Sequence, residues 1–148
     1  MIILTLVFFI VDLISKVIIT KLFDVYESVS VINNFFNITY VKNTGAAWSI
    51  LSNEILFLIM ISLSIIMSVV VYIKYHKPTK KIDEVAYSMI LGGAIGNFSN
   101  RLFLGYVIDF LDFNFFGYNY PVFNFADMFI VIGAILLIIS SWRKKDEI

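Results

Sequence analysis

What most limits the folds open to this chain is a set of four apolar runs, each near the length that crosses a lipid bilayer. A crossing helix needs about 20 mostly apolar residues, because its backbone polar groups must be satisfied internally within hydrocarbon. The runs lie at about 2–23, 55–73, 85–102 and 123–142. The second carries no charge. The uncharged parts of the third (85–100) and fourth (128–142) are short, so both must take in polar neighbours to reach full length. That draws Asn97, Asn100 and Arg101 into the end of the third helix, and Asn124 and Asp127 into the start of the fourth. The first run holds Asp12 and Lys16 in its middle and has neither a basic leader nor a small-residue cleavage pattern, so it is read as a retained helix.

Composition narrows the chemistry. Only 15% of the 148 residues are charged and 60% are hydrophobic, whereas a soluble domain is about a quarter charged. The length leaves room for a single integral membrane domain over 1–148, so any chemistry sits in or on the bilayer. The chain has no cysteine, which excludes disulfides, thiolate nucleophiles and cysteine-ligated metal. Its one histidine, His76, excludes a histidine-rich metal site. No metal, cofactor or nucleic acid is expected.

Lys and Arg set the orientation. Lys74, Lys77, Lys80 and Lys81 lie between the second and third runs, and Arg143, Lys144 and Lys145 follow the fourth, while the opposite connections hold only Lys42 and Arg101. The excess of Lys and Arg in cytoplasmic loops places both termini and the 74–81 linker inside. Trp142, Tyr72 and Tyr75 then fall at the inner boundary and Trp48 at the outer one. Outside the membrane, residues 29–51 form a β-rich segment. Phe36, Ile38 and Tyr40 alternate there with Asn37 and Thr39, and Asn33-Asn34 offers a hairpin turn. Residues 103–122, crowded with Phe and Tyr, are expected at headgroup level against the helix ends. The fold class is therefore mainly α: four transmembrane helices with a small β-rich segment on the outer surface.

Ionisable residues within spans are expensive and imply function unless paired. Asp12 and Lys16, four apart with the acid first, suit a structural ion pair facing the bundle. Asn97, Asn100 and Arg101 share one helix face, Asn124 and Asp127 another, and both clusters lie at the outer leaflet. Snorkelling accounts for Arg101 but not for Asp127, a carboxylate preceded by Phe125 and Ala126. Gly92, Gly93, Ala94 and Gly96 give the third helix a small-residue face for close packing, and Ser62, Ser64 and Ser68 need no special role. A Ser-His mechanism fails because His76 belongs to the cytoplasmic linker, and adjacent Ser15 and Lys16 point apart on a helix. Carboxylates remain: two at one depth can share a proton, one as base for water and the other as acid. Asp127 is one member, and either Asp109 or Asp112 can be the other.

Five segments, in order along nearly the whole chain, resemble the lipoprotein signal peptidase (signal peptidase II) family. Asp12-Leu-Ile-Ser-Lys16 is similar to its Asp-Gln-x-Ser/Thr-Lys, with Leu13 departing from Gln. Asn43-Thr-Gly45-Ala-Ala-Trp48 resembles Asn-x-Gly-Ala-Ala-Phe, and the 92–101 segment resembles Gly-Gly-Ala-x-Gly-Asn-x-x-Asp-Arg, with Asn100 in place of the acid. Val107-Ile-Asp109-Phe110 and Phe123-Asn124-Phe-Ala126-Asp127 match the motifs that hold the family's catalytic aspartates. The resemblance thus selects Asp109 over Asp112 and implies an aspartic endopeptidase of the bacterial cytoplasmic membrane, its active site toward the outer leaflet. It implies cleavage of diacylglyceryl-modified prolipoproteins just before the lipidated cysteine. Asn43, Gly45, Asn97, Arg101 and Asn124 would line the substrate site, and Asp12 and Lys16 would be structural. Membrane lipids and the lipidated prolipoprotein are the expected partners, and the chain is expected to be monomeric. A small proton- or ion-coupled transporter using the same buried acids is the alternative. It would spread polar residues over several depths, against the clustering at one leaflet.

Overall fold

The computed structural model describes residues 1–45, 51, 54–115 and 117–145. Four helices alternate with short strands: α1 (Ile2–Leu22), β1 (Ser28–Ile32), β2 (Phe36–Asn43), α2 (Ile55–Tyr75), α3 (Lys81–Leu104), β3 (Val107–Phe115), β4 (Tyr118–Asn119) and α4 (Phe125–Lys145). Three helical stretches, Ile2–Leu22, Ile55–Tyr75 and Phe125–Trp142, are long and apolar enough to cross a membrane. Their outward faces expose large apolar side chains such as Ile14, Ile18, Leu63, Met67, Val131 and Ile138. In water so much exposed apolar surface would drive aggregation; against lipid it is the expected exterior.

Helix α3 is different. It packs against α1, α2 and α4, and its buried residues include many that are small or polar: Ala86, Ser88, Gly92, Gly93, Ala94, Gly96, Asn97 and Asn100. Small residues let backbones approach closely where no hydrophobic driving force separates helix from lipid. A Cβ added at Gly93 would collide with the carbonyl of Ala126 on α4, and one at Gly96 with the Asp12 carboxylate on α1. Helix α2 is peripheral, with Leu58 its one buried residue, and Ser62, Ser64 and Ser68 bond back to the carbonyls of Leu58, Met60 and Ser64.

The strands form one antiparallel sheet in the order β1-β2-β3-β4. The β1–β2 hairpin turns through Asn33 and Asn34, and Asn34 takes the left-handed conformation (φ 59°) that Asn tolerates. The aromatic stretch after α3 is not merely laid against helix ends. Much of it is β3, which pairs along β2 from Asn43↔Val107 to Phe36↔Phe113. Gly105 makes the entry to β3 possible: it ends α3 at φ 78°, donating its N–H to the Arg101 carbonyl. Ile19, Tyr40, Ile108, Phe110 and Leu111 form a core that fastens the sheet to the end of α1. Trp142, Tyr72 and Tyr75 are exposed, whereas Trp48 lies outside the described residues.

Candidate active site

Asp109 and Asp127 reach the site from different elements. Asp109 stands in the buried first half of β3, only 2% exposed. Asp127 lies in the first turn of α4, where Asn124 caps the helix. The Asn124 Oδ1 accepts the Asp127 N–H (3.1 Å), and the Asn124 N–H donates to Asp127 Oδ2 (3.2 Å). This reciprocal pairing is the capping-box arrangement, here built from Asn and Asp, and it satisfies two donors that a helix start leaves open. The carboxylate is thereby fixed by a local stretch of sequence and sits at the helix end that favours negative charge.

Three asparagine amides tie the carboxylates together. Asn124 Nδ2 donates to Asp109 Oδ1 at 2.6 Å, and Asn43 Nδ2 donates to Asp109 Oδ2 at 2.8 Å. Asn97 Nδ2 donates to Asp127 Oδ1 at 2.8 Å, and Asn97 Oδ1 accepts from Asn124 Nδ2 at 3.1 Å. Each carboxylate therefore receives a donor on both oxygens. Burial pushes the Asp109 carboxyl up to about 7, helped by the negative charge of Asp127; the Asn43 and Asn124 amides and Lys16 act against that rise. A carboxyl poised near neutrality can lose or supply a proton there.

Both aspartates, with Asn43, Asn97 and Arg101, line a cavity of about 640 Å³. Its remaining wall is mostly apolar, from Phe113, Phe115 and Phe123 on the sheet side to Met128, Val131 and Ile132 along α4. The site is thus a polar floor beneath a mostly apolar cleft that continues along a helix long enough to cross a membrane.

A family model described as signal peptidase (SPase) II matches residues 4–143. The chain belongs to the signal peptidase II family. It is similar to the lipoprotein signal peptidase of Pasteurella multocida, 39% identical over 97% of this chain and 89% of that protein. It is also similar to the lipoprotein signal peptidase of Haemophilus influenzae, 41% identical over 97% of this chain and 86% of that protein. A bacterial membrane enzyme solved by the in meso method at 2.3 Å resolution superposes with a TM-score of 0.90 at 37% identity, covering 99% of this chain and 89% of that one. A second such structure, at 1.9 Å, gives a TM-score of 0.84 at 39% identity over 94% and 90%.

In this member of the signal peptidase II family the other sequence-predicted residues divide into distinct tasks. Gly45 donates its N–H to Asn43 Oδ1 (2.9 Å), and its carbonyl accepts from an Arg101 terminal nitrogen (3.2 Å). Arg101 thus holds the β2 exit, and its Nε is buried without a hydrogen-bond partner among the described residues. Asn100, which shares a helix face with Asn97 and Arg101, turns away from the aspartates and accepts the Ile108 N–H (3.2 Å) at the start of β3. Asp12 and Lys16 form a buried ion pair at 2.8 Å, and Asp12 Oδ1 also accepts the Ala126 N–H at 3.0 Å. No spacing in the chain signals the link from Lys16 to Asn97 Oδ1 (2.9 Å), which joins helices across 81 residues of sequence.

Proposed function

We propose that this chain is a membrane aspartyl endopeptidase that removes signal peptides from diacylglyceryl-modified prolipoproteins, cutting before the lipidated cysteine. The observation that carries this reading is a buried and a half-buried carboxylate, bridged by Asn124, at the floor of one mostly apolar cavity. An acyl-bearing membrane helix entering sideways suits the apolar wall along α4. The scissile carbonyl would then meet the polar floor.

In the reaction, one aspartate takes a proton from water as the oxygen attacks the carbonyl carbon, and the other gives its proton to the carbonyl oxygen. Collapse of the tetrahedral intermediate breaks the C–N bond, and the departing nitrogen takes a proton from the first aspartate while the second recovers its own. Holding water and peptide between two fixed groups supplies the orientation that would otherwise be sought within the chemical step. Arg101 fixes the Gly45 backbone and leaves its Nε to donate to the substrate. We place four spans in the bilayer, α3 included, because its packing inside the other three helices offsets its lower apolar content. Both termini are then cytoplasmic and the sheet lies outside. The residues of the site come from one chain, so a monomer suffices.

The purified protein, incubated with a lipidated prolipoprotein, is expected to release the signal peptide, and the unlipidated precursor is expected to be cut far more slowly. Equal rates on the two would reject the lipid-directed reading. The pair must hold one proton, so kcat/KM should be bell-shaped in pH. With Asp109 near 7, the alkaline limb is the loss of its proton, and the rate should fall as pH rises above that value.

A further inference from the structure

Lys16 does not line the cavity, and the reaction as written does not use it. Yet it is among the most buried side chains described, at 1% exposure. Its Nζ donates to Asp12 Oδ2 at 2.8 Å and to Asn97 Oδ1 at 2.9 Å. An ammonium has donors only, so the Asn97 atom that faces it must be the oxygen. Asn124 Nδ2 makes the same demand more weakly, at 3.1 Å. The Asn97 nitrogen is thereby turned toward Asp127 and donates to its Oδ1. An amide nitrogen can only donate, so it favours the ionised carboxylate on that oxygen. Were the amide reversed, its oxygen would face Asp127 and call for a protonated acid instead.

We propose that Lys16 is a positioning residue that, through the Asn97 amide, favours the ionised form of Asp127 in the pair. The inference rests on the catalytic reading of Asp109 and Asp127 given above. Asp12 has the opposite influence: it draws on the lysine charge and brings a negative charge of its own into the same buried cluster. The other charged groups facing the pair are Arg101 from α3, whose guanidinium favours ionisation, and Asp112 from β3, which lines a neighbouring groove with Asp109. From β2, Lys42 is engaged over the Tyr106 ring at 5.0 Å.

The test is the pH profile of kcat and kcat/KM in one detergent, normalised to folded enzyme, for Asp12→Asn and for the double variant Asp12→Asn/Lys16→Met. The double variant removes both charges of the pair, whereas Lys16→Met alone would leave the Asp12 carboxylate buried beside the other acids. Its acid limb should move up by about one pH unit, the lower end of what a nearby opposite charge does to a carboxylate. KM should hold, because neither residue meets the cavity. Asp12→Asn, nearly isosteric, leaves the lysine charge undivided and should move the acid limb down. A pair that merely braces the helices would lower the folded fraction of both variants and move neither limb. An unmoved limb in the double variant, or a shift of the same sign in both, overturns the proposal. If the double variant does not fold, Asp12→Asn decides alone, and a limb that fails to fall overturns it. Loss of the bell shape in the parent enzyme would instead overturn the catalytic reading, so the two failures are distinct.

Discussion

The two halves of β3 hold the same residue type in opposite settings. The inner half, Val107 to Leu111, is buried, and Asp109 within it meets two asparagine amides from β2 and the start of α4. The outer half climbs into partial exposure. Asp112 there accepts the Thr39 hydroxyl at 2.7 Å, which in turn contacts the Ser28 hydroxyl at 2.8 Å on the exposed edge strand. A hydroxyl can rotate to suit either charge state of its partner, whereas an amide pinned by a second contact cannot. Residue type alone therefore does not separate Asp109 from Asp112. What separates them is fixed donors, burial, and a second carboxylate bonded to the backbone of the same asparagine, Asn124.

The contrast would fail most visibly at the inner half. Asp109→Asn and Asp127→Asn should each cut kcat by on the order of 10³-fold, since an amide neither activates water nor carries the proton. Both changes are nearly isosteric, so insertion and yield should hold. Cleavage of a lipidated precursor at a substantial rate by either variant would show that the aspartate pair is not the engine.

The second largest effect reaches the inner half from behind. Gly96 lies one residue before Asn97, and any Cβ there overlaps the Asp12 carboxylate. Gly96→Ala should therefore force α1 and α3 apart where Asp12 meets Lys16 and the Ala126 N–H. Overpacking of this kind costs about 1–3 kcal/mol. The variant should unfold at lower temperature in detergent and lose part of its activity, read by a thermal shift on the purified protein. An unchanged midpoint would mean that the seam is looser than the distances imply and that the inner half does not depend on the helices behind it.

Much of this frame is legible in the sequence, for local reasons. The apolar runs give helix positions within a few residues, and the Asn33-Asn34 turn is visible because its chemistry is local. The i,i+4 rule pairs Asp12 with Lys16 correctly. Strand β3 is not legible: 103–122 is aromatic without clean alternation, and its conformation is set by pairing with β2, a strand far earlier in the chain. The helix-face rule is also only half informative. It groups Asn97, Asn100 and Arg101, but their side chains go separately to Asp127, to the Ile108 backbone and to Gly45. What partners each asparagine depends on elements brought in from elsewhere in the chain, and no spacing rule carries that.

The smallest effect is the most discriminating, because it falls on the outer half. Asp112→Asn should change kcat/KM by no more than about twofold, the scale of a substitution away from packed or networked positions. The substituted side chain keeps an oxygen to accept the Thr39 hydroxyl, and the Asn43 and Asn124 amides bond to Asp109 instead. Asp112 also lines the groove that Asp109 shares with Asn37 and Asn119, so its removal leaves one acid where two stood. The Asp109 carboxyl answers to burial, Asp127, Asn43, Asn124 and Lys16, and Asp112 is not one of the groups that shift it. The alkaline limb should then stay in place, with the maximal rate intact. Measured beside Asp109→Asn on the same lipidated precursor, this variant compares two carboxylates on one strand. If Asp112→Asn proved as damaging as Asp109→Asn, fixed amide donors and burial would not be what separates the two halves of β3.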